Sequence, residues 1–208
     1  AYTDYELAVD DITGLLPHRL HIARIEIANP RGDFIAIHDL GLRLSLSELL
    51  RGRLHVVALD IRHLTVWQRP IPKERWRLPR LPALPAWPTV DHLRIERLTL
   101  AEAVVGVPVA LTVSGRIRPA EGWIWPETSL DVKGLDVDGV HASLFYSYAE
   151  SAPHLSLTVE DAVLLPELLD TPPPFVLRAD GRGPREDWRA ALEMTAGDDV
   201  LAEGALHF

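Results

Sequence analysis

Between residues 53 and 67 the apolar side chains obey one rule: Leu54-x-Val56, two positions, Leu59-x-Ile61, two positions, Leu64-x-Val66. Within each pair the spacing is two, as in a β-strand with one face in apolar surroundings. Between pairs it is three, which shifts the phase. An amphipathic helix would place its apolar residues at i, i+3, i+4 and i+7, and this segment does not. A three-step inside a strand calls for a bulge, or for a bend that carries the next segment onward.

The rule recurs. Leu20-x-Ile22-x-x-Ile25-x-Ile27, Leu93-x-Ile95-x-x-Leu98-x-Leu100 and Leu130-x-Val132-x-x-Leu135-x-Val137 all follow it, with starts at 20, 54, 93 and 130 separated by 34, 39 and 37 residues. A loosely regular recurrence of this kind is what stacked supersecondary units produce. The copies do not align outside the apolar positions, so the repeat is one of structure more than of sequence. The apolar set is mostly Leu, Val and Ile with one Met, a choice that suits strands better than helices.

Charge removes one class of partner. The net charge is −9 and lysine occurs only at Lys73 and Lys133, so no basic stripe exists to neutralise a phosphate backbone. Nor are aromatic residues interleaved with arginine as a single-strand-binding surface requires. There is no cysteine, which rules out thiol catalysis and cysteine metal sites without deciding the compartment. No run of 18 or more apolar residues and no charged-then-apolar leader is present. Ala1-Tyr2-Thr3-Asp4 reads like a start cut inside a longer protein.

Taken in order, residues 1–16 form a short helix or a lead-in strand ending at Gly14 and Pro17. Residues 19–28 are a strand. Asn29-Pro30-Arg31-Gly32 is a turn; it contains Arg31-Gly32-Asp33, an integrin-binding signal elsewhere and here a hairpin tip. Strands resume at Phe34–His38 and Leu40–Leu46. One helical turn follows over 47–52, with Ser47 able to cap it and Gly52 to end it, and then the long strand at 53–67. Residues 70–88 hold Pro70, Pro72, Pro79, Pro82, Pro85 and Pro88 and form an extended connection, because proline cannot donate to a ladder. Leu78, Leu81 and Leu84 recur every three residues, the period of polyproline II, and could lie along an apolar surface; an SH3 or WW ligand is the sharper alternative. The rest is strands and turns, including a two-residue hairpin at Asp138-Gly139, a short helix at Leu164–Leu169, and strands near 175–179, 188–194 and 200–208. With no crossover helices visible, neighbouring strands should be antiparallel. The expected architecture is mainly β: one continuous sheet fragment over 1–208, with first repeat units at 1–69, the proline-rich connection at 70–88, further repeats at 89–208, and one or two short helices.

No catalytic constellation is present: no G-x-S-x-G, G-x-G-x-x-G, Walker loop or H-E-x-x-H. His18 and His21 lie close in sequence but lack the carboxylates of a metal site. Asp136-x-Asp138-Gly139 fails as a calcium loop, since Gly134 and Phe145 would occupy the first and twelfth positions. The sequence therefore points to a protein that is not an enzyme and uses no metal or cofactor. What it does hold is a large amount of Leu, Ile and Val in strands, and an antiparallel sheet with one apolar face must cover that face. A second sheet, a closed barrel, or a curl that leaves an open trough for a ligand would each do so. An acyl chain is a natural filling, since each buried CH₂ contributes roughly 0.8 kcal/mol.

The order of these features resembles the N-terminal part of TamB, within the wider AsmA-like family. The likeness rests on Gly14-Leu15-Leu16-Pro17, the paired strand from Leu20 to Ile27, Asn29-Pro30-Arg31-Gly32, and Leu40-x-Leu42-x-Leu44. It continues through Ser47–Leu50 with Gly52, the strand from Leu54 to Val66, Arg69-Pro70, the Leu-Pro alternation at 78–85 and Asp187-Trp188. Each feature is a degenerate apolar pattern; their order over about 180 residues is more specific. Asn29 stands where the family often has Asp, and no tryptophan accompanies Leu44. The resemblance implies a periplasmic portion of a large protein anchored in the inner membrane by an N-terminal helix. It implies a curled, taco-shaped β-groove that moves phospholipid toward the outer membrane and supports outer-membrane assembly. An outer-membrane Omp85-type (TamA-like) barrel would be the partner, reached through a C-terminal region.

Two functional readings follow. In the first, acyl chains slide along a groove lined by Leu20, Ile22, Ile25, Ile27, Leu42, Leu44, Leu54, Val56, Leu59, Ile61, Leu93, Ile95, Leu98, Leu100, Leu130 and Val132. In the second, the repeats form a structural or scaffolding module with a filled core and no bound lipid.

Overall fold

A computed structural model describes residues 6–15, 17–29, 32–69, 89–118, 127–136, 139–149, 152–161, 173–184 and 187–207. The protein is mainly β, with twelve strands that follow one another in chain order in a mixed sheet, and two short helices among the described residues. The chain divides into two compact units, residues 1–110 and 111–208. No helix among the described residues is long and apolar enough to cross a membrane.

The first unit opens with β1 (Glu6–Thr13), β2 (Arg19–Asn29) and β3 (Gly32–Leu44), which pair antiparallel in succession. β1 settles the open choice at the N-terminus in favour of a strand. The two strands expected at 34–46 are one. Helix α1 (Leu46–Leu50) follows, with N-cap Ser45 rather than Ser47, and neither serine caps it through its side chain. Gly52 sits just past the C-cap with φ +74°, the left-handed conformation foreseen for it. β4 (His55–Val66) pairs antiparallel with β3, out to Ile35↔Val66.

The next step corrects the expectation of antiparallel neighbours. β5 (Thr89–Leu100) runs parallel to β4, from His55↔Thr89 to Val66↔Leu100. A parallel neighbour needs a return connection of a dozen or more residues, but not a helix. Residues 67–88 are long enough. The proline-rich segment 70–88 and its leucine row lie outside the described residues. Helix α2 (Glu102–Val105), unforeseen, ends at Gly106 with φ +97°.

β6 (Val109–Arg118) continues into the second unit, where it is joined by β7 (Glu127–Gly134), β8 (Val140–Ala149), β9 (Ala152–Asp161), β10 (Phe175–Arg182), β11 (Arg189–Ala196) and β12 (Asp199–His207). Every pairing from β6 to β12 is antiparallel. Two expectations here need correction. β7 ends at Gly134, and Leu135, the next apolar position of the fourth repeat, lies in a bend and is exposed, while Val137 falls outside the described residues. The β7–β8 ladder stops at Lys133↔His141, so its connection is longer than a two-residue hairpin. Asp138, the Leu164–Leu169 helix, Pro30 and Arg31 fall outside the described residues.

Candidate functional site

The repeat becomes legible once the register is laid over it. In the first unit Leu20 pairs with Leu42, Leu42 with Leu59 and Leu59 with Leu93. One row along, Ile12, Ile22, Leu40, Ile61 and Ile95 are successive partners across all five strands. Next come Val9, Ile25, Ile37, Leu64 and Leu98, and then Leu7, Ile27, Ile35, Val66 and Leu100. Direct partners share a face, with Cβ atoms about 5 Å apart. The 2-3-2 pattern of each strand thus lies against that of its neighbours as four apolar rows.

The three-step is accommodated in the two ways open to a strand. Between the second and third rows lie Asp11, Ala23, Asp39, Arg62 and Glu96, at the same level in successive strands, and Asp11 and Asp39 have φ +50° and +54°. A single left-handed residue turns the strand without changing its register. β2, in which Ala23 is not among the positive-φ residues, also exposes Arg19, His21 and Arg24, a two-step then a three-step, while Leu20, Ile22, Ile25 and Ile27 are half-buried. The other three-step in β4, from Val56 to Leu59, coincides with a bulge: Arg43 pairs with Ala58 but Leu44 with Val56, leaving Val57 as the extra residue. A second bulge inserts Phe34 between Asp33↔Ala28 and Ile35↔Ile27, and Phe34 is 3% exposed.

In the second unit Val132 pairs with Val113 and Ala142, followed by Val159, Leu177 and Met194. Leu130 pairs with Gly115 and Leu144, followed by Leu157, Ala179 and Leu192. Spacing in these strands is plain alternation, with no three-step.

All sixteen expected lining residues are at least half-buried. Val56, Ile61 and Ile95 are buried, and Leu54 lies just before β4. Sequence reasoning left Leu7, Val9, Ile12, Ile35, Ile37, Leu40, Leu64 and Val66 out of the expected lining of this unit. The signal was there, since Leu7-x-Val9-x-x-Ile12 and Ile35-x-Ile37-x-x-Leu40-x-Leu42 follow the same rule. Burial along the rows is incomplete. Among the described residues no large side chain falls below 2% exposure, and β1 leaves Leu7 65% and Ile12 57% exposed.

The alternate positions are polar and ordered. His21–Asp39, His55–Asp91, His141–Asp131 and His154–Asp180 are imidazole–carboxylate contacts at 3.5, 2.7, 2.8 and 3.2 Å, each joining adjacent strands on a diagonal. A hydrogen bond from His141, with help from Lys133, holds the Asp131 carboxyl below its ordinary range. Arg182, and then His154, do the same for Asp180. No grouping of three metal-ligating side chains occurs among the described residues. Comparison of the chain with known protein families, with curated proteins and with solved structures finds no match in any of the three.

Proposed function

We propose that the apolar rows form a lipid-binding groove: the sheet curls about them, and phospholipid acyl chains take the place of the core that the protein does not build for itself. The observation that carries this reading is the pairing of continuous apolar rows with incomplete burial. Leu, Ile and Val line up strand after strand, yet no large side chain among the described residues is fully enclosed. Exposed apolar surface of this continuity is what a ligand or partner covers. In a groove of this kind chains slide along leucine and isoleucine while headgroups stay in water, and the protein supplies no chemistry. The chain is then a periplasmic portion of an inner-membrane-anchored TamB/AsmA-like protein that carries phospholipid between the two membranes and works with an Omp85-type barrel.

The purified protein should release phospholipid into organic solvent at a fixed molar ratio. A photo-crosslinker at Leu59 or Leu98 should label lipid, and Leu59→Arg or Leu98→Asp should abolish labelling at the neighbouring row position while circular dichroism is unchanged. Undiminished labelling in those variants, or protein that carries no lipid and gains none from vesicles, would refute the groove and favour the scaffold.

A further inference from the structure

The first unit contains a depression lined by charged side chains together with Leu20 and Leu42 of the first apolar row. Its floor is Gly41, and its rim carries Arg19, His21, Arg43 and Asp60 beside the Gly14 turn, enclosing about 310 Å³. Register explains the arrangement. His21, Gly41 and Asp60 are successive direct partners on β2, β3 and β4, and Arg19 directly opposes Arg43 one row along. A side chain at 41 would stand in the middle of this row. A Cβ there would meet nothing nearer than the Asp60 carbonyl oxygen at 3.8 Å, so the space is open and not packed shut.

The arginines are the informative pair. Like charges directly opposite each other on adjacent strands are destabilising, and this chain has acid to spare, with 30 Asp and Glu against 21 Lys and Arg. Elsewhere it uses it: Arg62 meets Asp39, Arg51 and Arg53 meet Glu48, and Arg182 meets Asp180. Neither Arg19 nor Arg43 has a carboxylate partner among the described residues.

We propose that this depression binds a phosphate group carrying a neighbouring hydroxyl or amine, as in a glycerophosphate. Two guanidinium groups offer the paired donors that suit phosphate oxygens. Asp60 would repel a bare anion but accept a hydrogen bond from the ligand's hydroxyl or amine, and that selects the ester over the inorganic ion. The charged groups that would hold the ligand stand at the alternate positions of the strands, so the proposal does not require acyl chains along the rows, although Leu20 and Leu42 also line the depression.

The test is titration of the full chain with sn-glycerol 3-phosphate and with inorganic phosphate, followed by calorimetry. Saturable binding of glycerol 3-phosphate, tighter than that of phosphate, is expected. Arg19→Gln and Arg43→Gln should each weaken it about tenfold or more. Gly41→Leu, which fills the depression and keeps every charge, should weaken it as much. Asp60→Asn should erase the preference for the ester. Unfolding midpoints of the variants establish that they fold. Flotation with phosphatidylglycerol vesicles that depends on Arg43 would assign the group to a lipid headgroup, and binding of the soluble ester alone would assign it to a free metabolite. Both outcomes support the site. No saturation with either probe, or binding indifferent to Arg43→Gln and Gly41→Leu, overturns it.

Discussion

Asp39 offers the sharpest test of how the apolar rows are kept in line. It lies between the second and third rows with φ +54°, a conformation that Asp, Asn and Gly accept and a β-branched residue resists by about 1–2 kcal/mol. Its carboxylate also meets Arg62 at 2.8 Å and His21 at 3.5 Å, but its side chain is 37% exposed, so these contacts contribute only about 0–1 kcal/mol. Three substitutions separate the two effects. Asp39→Asn removes the charge and keeps the backbone preference. Asp39→Gly removes the charge and eases the backbone. Asp39→Val removes the charge and opposes the backbone. The expected order of stability is Gly close to Asn, with Val lower by about 1–2 kcal/mol. With a urea m-value of about 2 kcal/mol/M, that is a midpoint roughly 0.5–1 M below the Asn variant. Urea unfolding followed by circular dichroism would read it. A Val variant as stable as Asn, or a Gly variant less stable than Val, would show that the three-step is not resolved by a left-handed residue at 39.

Other expectations concern packing and charge. A side chain at Gly181 would overlap the Trp188 indole, whose Nε1 donates to the Pro153 carbonyl at 3.0 Å; Gly181→Val should cost about 1–3 kcal/mol and alter the near-ultraviolet circular dichroism. Phe34→Ala empties the bulge and should cost about 3–4 kcal/mol by urea unfolding, whereas the same change at Phe145, which is 38% exposed, should cost far less. Asp131 and Asp180 are held below their ordinary value of 3.8 in the folded protein, so their stabilising contribution is present above that value and disappears as pH falls through the lower, folded-state value. Unfolding midpoints below pH 4 should therefore decline less steeply in an Asp131→Asn/Asp180→Asn double variant than in the parent.

Much of this architecture is visible in the residues because strand periodicity is a direct record of which side chains share a face. β2, β4 and β5 could be found that way, as could the bulge or bend that a three-step demands. Two features were hidden for physical reasons. The parallel pairing of β4 with β5 depends on where a long connection returns the chain, and nothing in the alternation of Leu54–Val66 encodes its direction. The end of β7 at Gly134 was hidden because Leu135 continues the apolar spacing although it lies in a bend. The depression at Gly41 was invisible for a different reason: Arg19, Gly41 and Asp60 are far apart in sequence and meet only through register.

The 2-3-2 spacing has a property that accounts for the mixed sheet. Read backwards, it is still 2-3-2. A strand carrying it presents the same ladder of apolar positions to a neighbour running either way, so Ile25 and Ile37 meet in an antiparallel pair and Leu64 and Leu98 in a parallel one without any change of rule. The three-step matters equally, because it gives the ladder a marked centre. A slip of two residues would keep plain alternation on the correct face, but here it would set Asp39 or Arg62 against an apolar row. Plain alternation specifies the face and leaves register to the turns; the interrupted pattern specifies both. The first unit therefore needs no short hairpin between β4 and β5, since the strands themselves carry the information that aligns them.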